Sequence, residues 1–174
     1  MKIIETSLPG CVLLGQTQYR DQRGYFQELY VQQRYEELGI TEPLVQDNLS
    51  HSTRGVIRGM HFQRQQPQGK LITVLQGRIY DVMVDIRPNS PTYGQWQGII
   101  LSADNPQQLW IPAGFAHGFQ ALDSTNLVFY KTSSYYNPSD EGVFQPFDPK
   151  LNISWPLQDA ILSAKDSQAP NVDW

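Results

Sequence analysis

Between Gly55 and Gly77 the chain reads GVIRGMHFQRQQPQGKLITVLQG, which sets Arg58, His61 and Lys70 among short β-type runs. Imidazole is the side chain that ordinarily takes and gives protons near neutrality. Two cations beside it would be costly to bury without an anion. A second histidine, His117, follows the turn Pro112-Ala113-Gly114. Alone, either histidine reads equally well as a neutral core imidazole bonded to backbone. Two of them from separate segments, with Arg58 and Lys70 near the first, point instead to a pocket that receives an anionic small molecule.

These groups need strands to hold them. If the run is two strands joined by the polar turn Gln65 to Gly69, alternation sends Arg58 and His61 to opposite faces unless the chain bends between them, and Gly59 is the place for that bend. From residue 44 onward the chain is a succession of brief alternating runs cut by Gly, Pro, Asn and Asp: Leu44 to Ser50, Val56 to Gln63, Lys70 to Leu75, Arg78 to Ile86, Trp96 to Leu101, Gln108 to Ile111, His117 to Ala121 and Leu127 to Ser134. That spacing predicts an all-β sandwich or barrel. In RIYDVMVDI, Ile79, Asp81, Met83 and Asp85 share one face and Tyr80, Val82, Val84 and Ile86 the other, so one face is apolar and the other carries carboxylates.

Residues 1–15 read as an edge strand interrupted at Pro9-Gly10. Asp21 to Gly24 reads as a turn leading into a strand over Tyr25 to Tyr30. QQRYEELG, residues 32–39, predicts a short helix in which Tyr35 and Leu38 share a face and Gly39 is the stop. In the tail, SWPLQDAILS predicts another short helix. The whole of 1–174 reads as one domain, with N-terminal strands and helix over 1–45, a barrel core over 46–135 and a tail over 136–174.

The bounds agree with a small-molecule protein. A net charge of −4 with no basic run argues against a nucleic-acid surface while leaving room for a local basic pocket. Cys11 is the sole cysteine, so no intrachain disulfide forms, and there is no start resembling a secretory signal; a cytoplasmic protein is expected. No apolar run approaches the roughly 20 residues of a membrane span.

Two segments, Gly55 through His61-Phe62-Gln63 to Gly77 and Pro112 to His117 with Asn126 downstream, resemble the two motifs of the cupin superfamily. The resemblance implies a double-stranded β-helix, a jelly-roll barrel with a few short peripheral helices. The departures are informative. Gln63 stands where the first motif has its second histidine, and no Glu lies between His61 and Gly77, so of four expected ligands only His61 and His117 remain. Two imidazoles do not close a first-row metal shell. A metal-free interior without cofactor is expected.

A narrower resemblance runs along nearly the full chain. DQRGYFQE, VQDNLS, GVIRGMHFQ, QGKL, DVMVDIR, SPTYGQW, LSADNPQQLWIPAGFAHGF, FYKTSSYYNPSDE, FDP, ISWP and LSAKD resemble, in order, the dTDP-4-dehydrorhamnose 3,5-epimerase family. This implies an enzyme that inverts carbons 3 and 5 of dTDP-4-keto-6-deoxy-D-glucose without metal or nucleotide cofactor. By the same resemblance His61 is the base, Asp166 orients its imidazole, Lys70 meets the enolate oxygen with a fixed positive charge, and Tyr130 returns the proton from the other face. Arg23, Glu28, Gln46, Asp47, Asn48, Arg58, His117, Glu141 and Lys165 stand at positions resembling substrate contacts, and Tyr136 at that of an aromatic stacked on thymine. Without the resemblance, Tyr130 reads as a core aromatic, and Arg23, Glu28 and Glu141 as solvated loop charges. Leu49 replaces a histidine common in the family. Asp81 and Asp85 read as barrel structure, since carboxylates facing a diphosphate would repel it. Family members are dimers, which implies that residues 19–30 complete a neighbour's nucleotide site. Two other readings share the nucleotide motifs: a related 3-epimerase or ketoisomerase, and a non-catalytic sugar-binding module.

Overall fold

The alternating runs pair into antiparallel ladders in the computed structural model, which describes residues 2–174. In chain order the strands are β1 (Lys2–Glu5), β2 (Val12–Gly15), β3 (Tyr19–Asp21), β4 (Gly24–Phe26), β5 (Gln46–Ser52), β6 (Ile57–Gln63), β7 (Lys70–Gln76), β8 (Arg78–Asp85), β9 (Trp96–Ser102), β10 (Gln107–Ile111), β11 (Phe115–Ala121), β12 (Asn126–Thr132) and β13 (Glu141–Val143). Two short helices, α1 (Gln32–Glu36) and α2 (Ala164–Ser167), lie outside them. One sheet runs β1-β2-β10-β7-β12-β5, the other β13-β6-β11-β8-β9, and β3-β4 form a separate hairpin. Leu13, Ile72, Leu109 and Val128 of the first sheet pack with Ile79, Met83, Leu101 and Phe119 of the second, so the sheets close on one core as an all-β jelly-roll barrel.

Strand β8 shows why its alternation mattered. Both of its faces are buried. Ile79 and Met83 enter the core between the sheets, whereas Val82 and Val84 lie under the tail residues Leu151, Ile153 and Trp155. The carboxylates on the inward face are each partnered. Asp81 meets His117, and Asp85 accepts from Arg87, Ser90 and Thr92. Burial would raise the Asp85 carboxyl, but those donors together hold it well below the usual carboxylate range.

Two expected elements differ. The strand expected over Tyr25 to Tyr30 ends at Phe26, because the chain beyond it has no partner strand: the Leu29 carbonyl accepts from the Tyr35 hydroxyl and the Gln108 amide instead. The helix expected in SWPLQDAILS does not form. Pro156 lacks a backbone donor, Leu157 exchanges both of its backbone groups with the Gln120 side chain, and Ile161 pairs with Gly55 and Ile57. Helix starts only at Ala164, after Ser163 caps it by accepting from the Asp166 amide. Helix α1 ends near its expected stop, with Tyr35 buried and Gly39 at φ +85°. Among the described residues no helix is long and apolar enough to cross a membrane.

Candidate active site

The bend expected in β6 is present and sets the site. His117 of β11 pairs with His61, but Phe119 pairs with Arg58, so the register slips by one residue between them. Gly59 sits inside the slip at φ +134°, and a Cβ there would stand 2.5 Å from the Gly118 Cα. Only glycine fits. The slip brings Arg58 and His61 to the same cleft, about 760 Å³ in volume, within the range of small-molecule sites.

The two sheets supply opposite walls. Gln46, Asn48 and Ser50 of β5, Lys70 of β7 and Tyr130 of β12 come from the six-stranded sheet; Arg58 and His61 of β6, His117 of β11 and Glu141 of β13 come from the other. The tail folds back so that Ser163, Lys165 and Asp166 line the rim.

His61 Nε2 lies 2.6 Å from Asp166 Oδ1, with the Asp166 side chain 4% exposed. Burial would raise the Asp166 carboxyl, yet hydrogen bonds from His61, Ser163 and the Gly59 backbone hold it below its ordinary value. With Asp166 ionised, the bonded ring nitrogen carries the proton and the other keeps its lone pair. His117 has its own carboxylate: its Nε2 is 2.9 Å from Asp81 Oδ2, both groups buried. Lys70 is buried as well, and desolvation pushes its ammonium down to about 8 against the opposing pull of Asp81 and Glu141. Its charge is therefore present at neutral pH but is not the fixed charge expected from sequence, because burial lets it be lost as pH rises through about 8. Burial raises the Tyr130 phenol, opposed by Arg58. None of the described residues hydrogen-bonds the Tyr130 hydroxyl, unlike the capped core aromatic that Tyr130 alone would suggest.

At the rim Lys165 Nζ donates to Glu141 Oε1 at 2.8 Å, and the Tyr136 hydroxyl donates to Glu141 Oε2 at 3.1 Å. Burial would raise the Glu141 carboxyl, but Lys165 and the nearby His61 keep it low. The Tyr136 amide donates to Gln46 Oε1, and Gln46 in turn donates to Asn48, so the aromatic and β5 are tied together. Arg58 is held at the other end of β5 by Ser52 and the His51 carbonyl.

Three expected contacts lie elsewhere on the same chain. Arg23, on the β3-β4 hairpin, is 90% exposed and pairs with Asp21; Glu28 pairs with Arg34; Asp47 points away from Gln46 and Asn48 and pairs with Lys131. Conversely, Ser50 lines the cleft and Asp81 lies buried behind His117, outside the lining, and sequence reasoning did not single out either as a site residue. Their parity was the available signal, since Ser50 follows Gln46 and Asn48 at steps of two and Asp81 lies between the inward Ile79 and Met83.

Among the described residues no three or more His, Cys, Asp or Glu side chains gather as a metal-ligand set. Each imidazole left from the metal motif is instead bonded to a carboxylate, and Gln63 stitches loops by donating to the Gln66 carbonyl and accepting from the Asn137 amide.

Comparison with known proteins adds the family. The family model described as dTDP-4-dehydrorhamnose 3,5-epimerase matches residues 5–173. The dTDP-4-dehydrorhamnose 3,5-epimerase of Salmonella typhimurium is 48% identical over 99% of this chain and 96% of its own. Among solved structures, the dTDP-6-deoxy-D-glucose-3,5-epimerase of Legionella pneumophila in complex with dTDP-4-keto-L-rhamnose superposes with a TM-score of 0.95 at 49% identity, covering 98% of this chain and 92% of that one. The Bacillus anthracis dTDP-4-dehydrorhamnose 3,5-epimerase with TDP and PPi bound gives 0.95 at 47% identity, covering 98% and 99%.

Proposed function

The chain belongs to the dTDP-4-dehydrorhamnose 3,5-epimerase family, and we propose that it inverts carbons 3 and 5 of dTDP-4-keto-6-deoxy-D-glucose to give dTDP-4-keto-L-rhamnose. The observation that carries this reading is the placement of His61 and Tyr130 on opposite walls of one cleft. Inversion needs a proton taken from one side of a carbon and returned to the other, which two groups on facing walls can do.

In this reading His61 removes the proton next to the ketone, and ionised Asp166 stabilises the imidazolium that results. Charge then moves onto the ketone oxygen, where the buried Lys70 ammonium stabilises it. Tyr130 gives its proton to the opposite face of the enolate carbon. Its high affinity for the proton is tolerable because an enolate carbon is itself strongly basic. His117, with Asp81 behind it, adds a second donor on the base's side. Toward the rim Tyr136 stacks on the thymine, Glu141 and Lys165 meet the nucleoside, and Arg58 faces the diphosphate. No step calls on a metal or a nucleotide cofactor.

Arg23 and Glu28 enter this scheme through a second copy of the chain. In a cytoplasmic homodimer the β3-β4 hairpin, with Tyr19, Tyr25 and Phe26 exposed, reaches the partner's cleft and completes its nucleotide end. Incubating the protein with the ketosugar nucleotide and following the sugar protons by NMR tests the function. Inversion at both carbons is expected; inversion at carbon 3 alone would make the chain a monoepimerase, and an unchanged sugar would overturn the enzyme reading.

A further inference from the structure

The Ser50 hydroxyl is the only buried side-chain nitrogen or oxygen among the described residues that has no hydrogen-bond partner. It also lies in the active-site cleft. Buried hydroxyls almost always find a partner, because water lost without replacement is costly. Neighbours of the same parity on β5 are satisfied within the protein: Gln46 by Tyr136 and Asn48, and Ser52 by Arg58. Ser50 is the one member of that row whose side chain makes no hydrogen bond among the described residues.

Resting on the proposed function, we infer that Ser50 is a specificity residue whose hydroxyl hydrogen-bonds an oxygen of the sugar ring of the bound nucleotide sugar. Its position on β5 selects the sugar over the base. Tyr136 is fastened to Gln46, and Ser50 lies four residues further along the strand, about 13 Å away at 3.3 Å per residue. Asn48, between them, stands directly opposite Tyr130 in the ladder, and Ser50 opposite Val128, next to Tyr130 on the inward face. The orphan group therefore sits beside the proposed acid and away from the thymine end. A pyranose offers hydroxyls and a carbonyl that can give or take one hydrogen bond, which is what a serine can answer.

Calorimetric titration of Ser50→Ala against the parent, with dTDP and with dTDP-glucose as a non-reacting nucleotide sugar, tests this. The expected result is a loss of about tenfold in affinity for dTDP-glucose with dTDP affinity unchanged, and a melting temperature equal to or above the parent's because the variant no longer buries an unpaired hydroxyl. Equal losses for dTDP and dTDP-glucose would move the contact to the nucleotide and overturn the inference. No loss for either would overturn it in favour of water, and a lowered melting temperature would do so in favour of a partner within the protein. A parent protein that bound neither ligand would sink the proposed function itself, which separates the two failures.

Discussion

His61 and Asp166 are 105 residues apart in sequence and 2.6 Å apart in space. One belongs to a barrel strand and the other to a four-residue helix that exists because Ser163 caps it. The carboxylate keeps its charge in spite of burial, since hydrogen bonds from His61, the Ser163 side chain and the Gly59 backbone lower its pKa. That charge is what holds the imidazole in one orientation and tautomer.

Asp166→Asn keeps the shape and removes the charge. Turnover is expected to fall by about 100-fold or more, with the affinity for dTDP unaltered. Steady-state kinetics with a parallel dTDP titration checks this; equal loss in both would mean that the variant disturbs the cleft rather than the base.

Lys70 carries opposite consequences for activity and stability. In the unfolded chain it holds its proton to its ordinary value of 10.5, but in the fold only to about 8. Between those values the unfolded state binds more protons, so stability rises with pH from about 8 toward 10.5. Activity falls over the same rise, as the cation facing the enolate oxygen is discharged. Lys70→Met is expected to lose turnover by about 100-fold or more while melting at or above the parent's temperature, as is common when a buried charge is replaced by an apolar group of similar size.

Gly59→Ala tests the bend. The new methyl meets the Gly118 backbone at 2.5 Å in a backbone conformation that side chains rarely adopt. A loss of about 2 kcal/mol or more is expected, seen as a melting temperature about 5 °C lower or more, together with weakened nucleotide-sugar binding because Arg58 and His61 no longer face the same cleft.

Mixing tests the partner hairpin. Arg23→Ala and His61→Ala should each be impaired alone, and co-refolding equal amounts should restore about one quarter of parental activity, from the half of heterodimer sites that carry neither change. Absence of any recovery would place Arg23 outside the partner's site.

Much of this site was readable before the fold was known, and for identifiable reasons. Period-two alternation placed nearly every barrel strand, and the need for Arg58 and His61 to share a cleft singled out the bend at Gly59. The type of a residue, however, does not say what it will touch. Asp166 and Lys165 reach the cleft through a tail whose course depends on Gln120 and Gly55 holding Leu157 and Ile161, and those long-range bonds are what displaced the helix expected in SWPLQDAILS. Asp81 read as barrel structure because its inward face was clear but its partner, His117, was not. The depressed titration of Lys70 is likewise a property of burial, invisible in its neighbours along the chain.

In the proposed reaction base and acid act from opposite walls of the cleft. Deuterium incorporation at carbons 3 and 5 of dTDP-4-keto-6-deoxyglucose, followed by NMR in deuterated water for the parent, His61→Ala and Tyr130→Phe, tests it most directly. The parent should incorporate deuterium at both carbons with inversion, His61→Ala at neither, and Tyr130→Phe should retain exchange while losing net inversion. Near-normal exchange by His61→Ala, or full inversion by Tyr130→Phe, would contradict it.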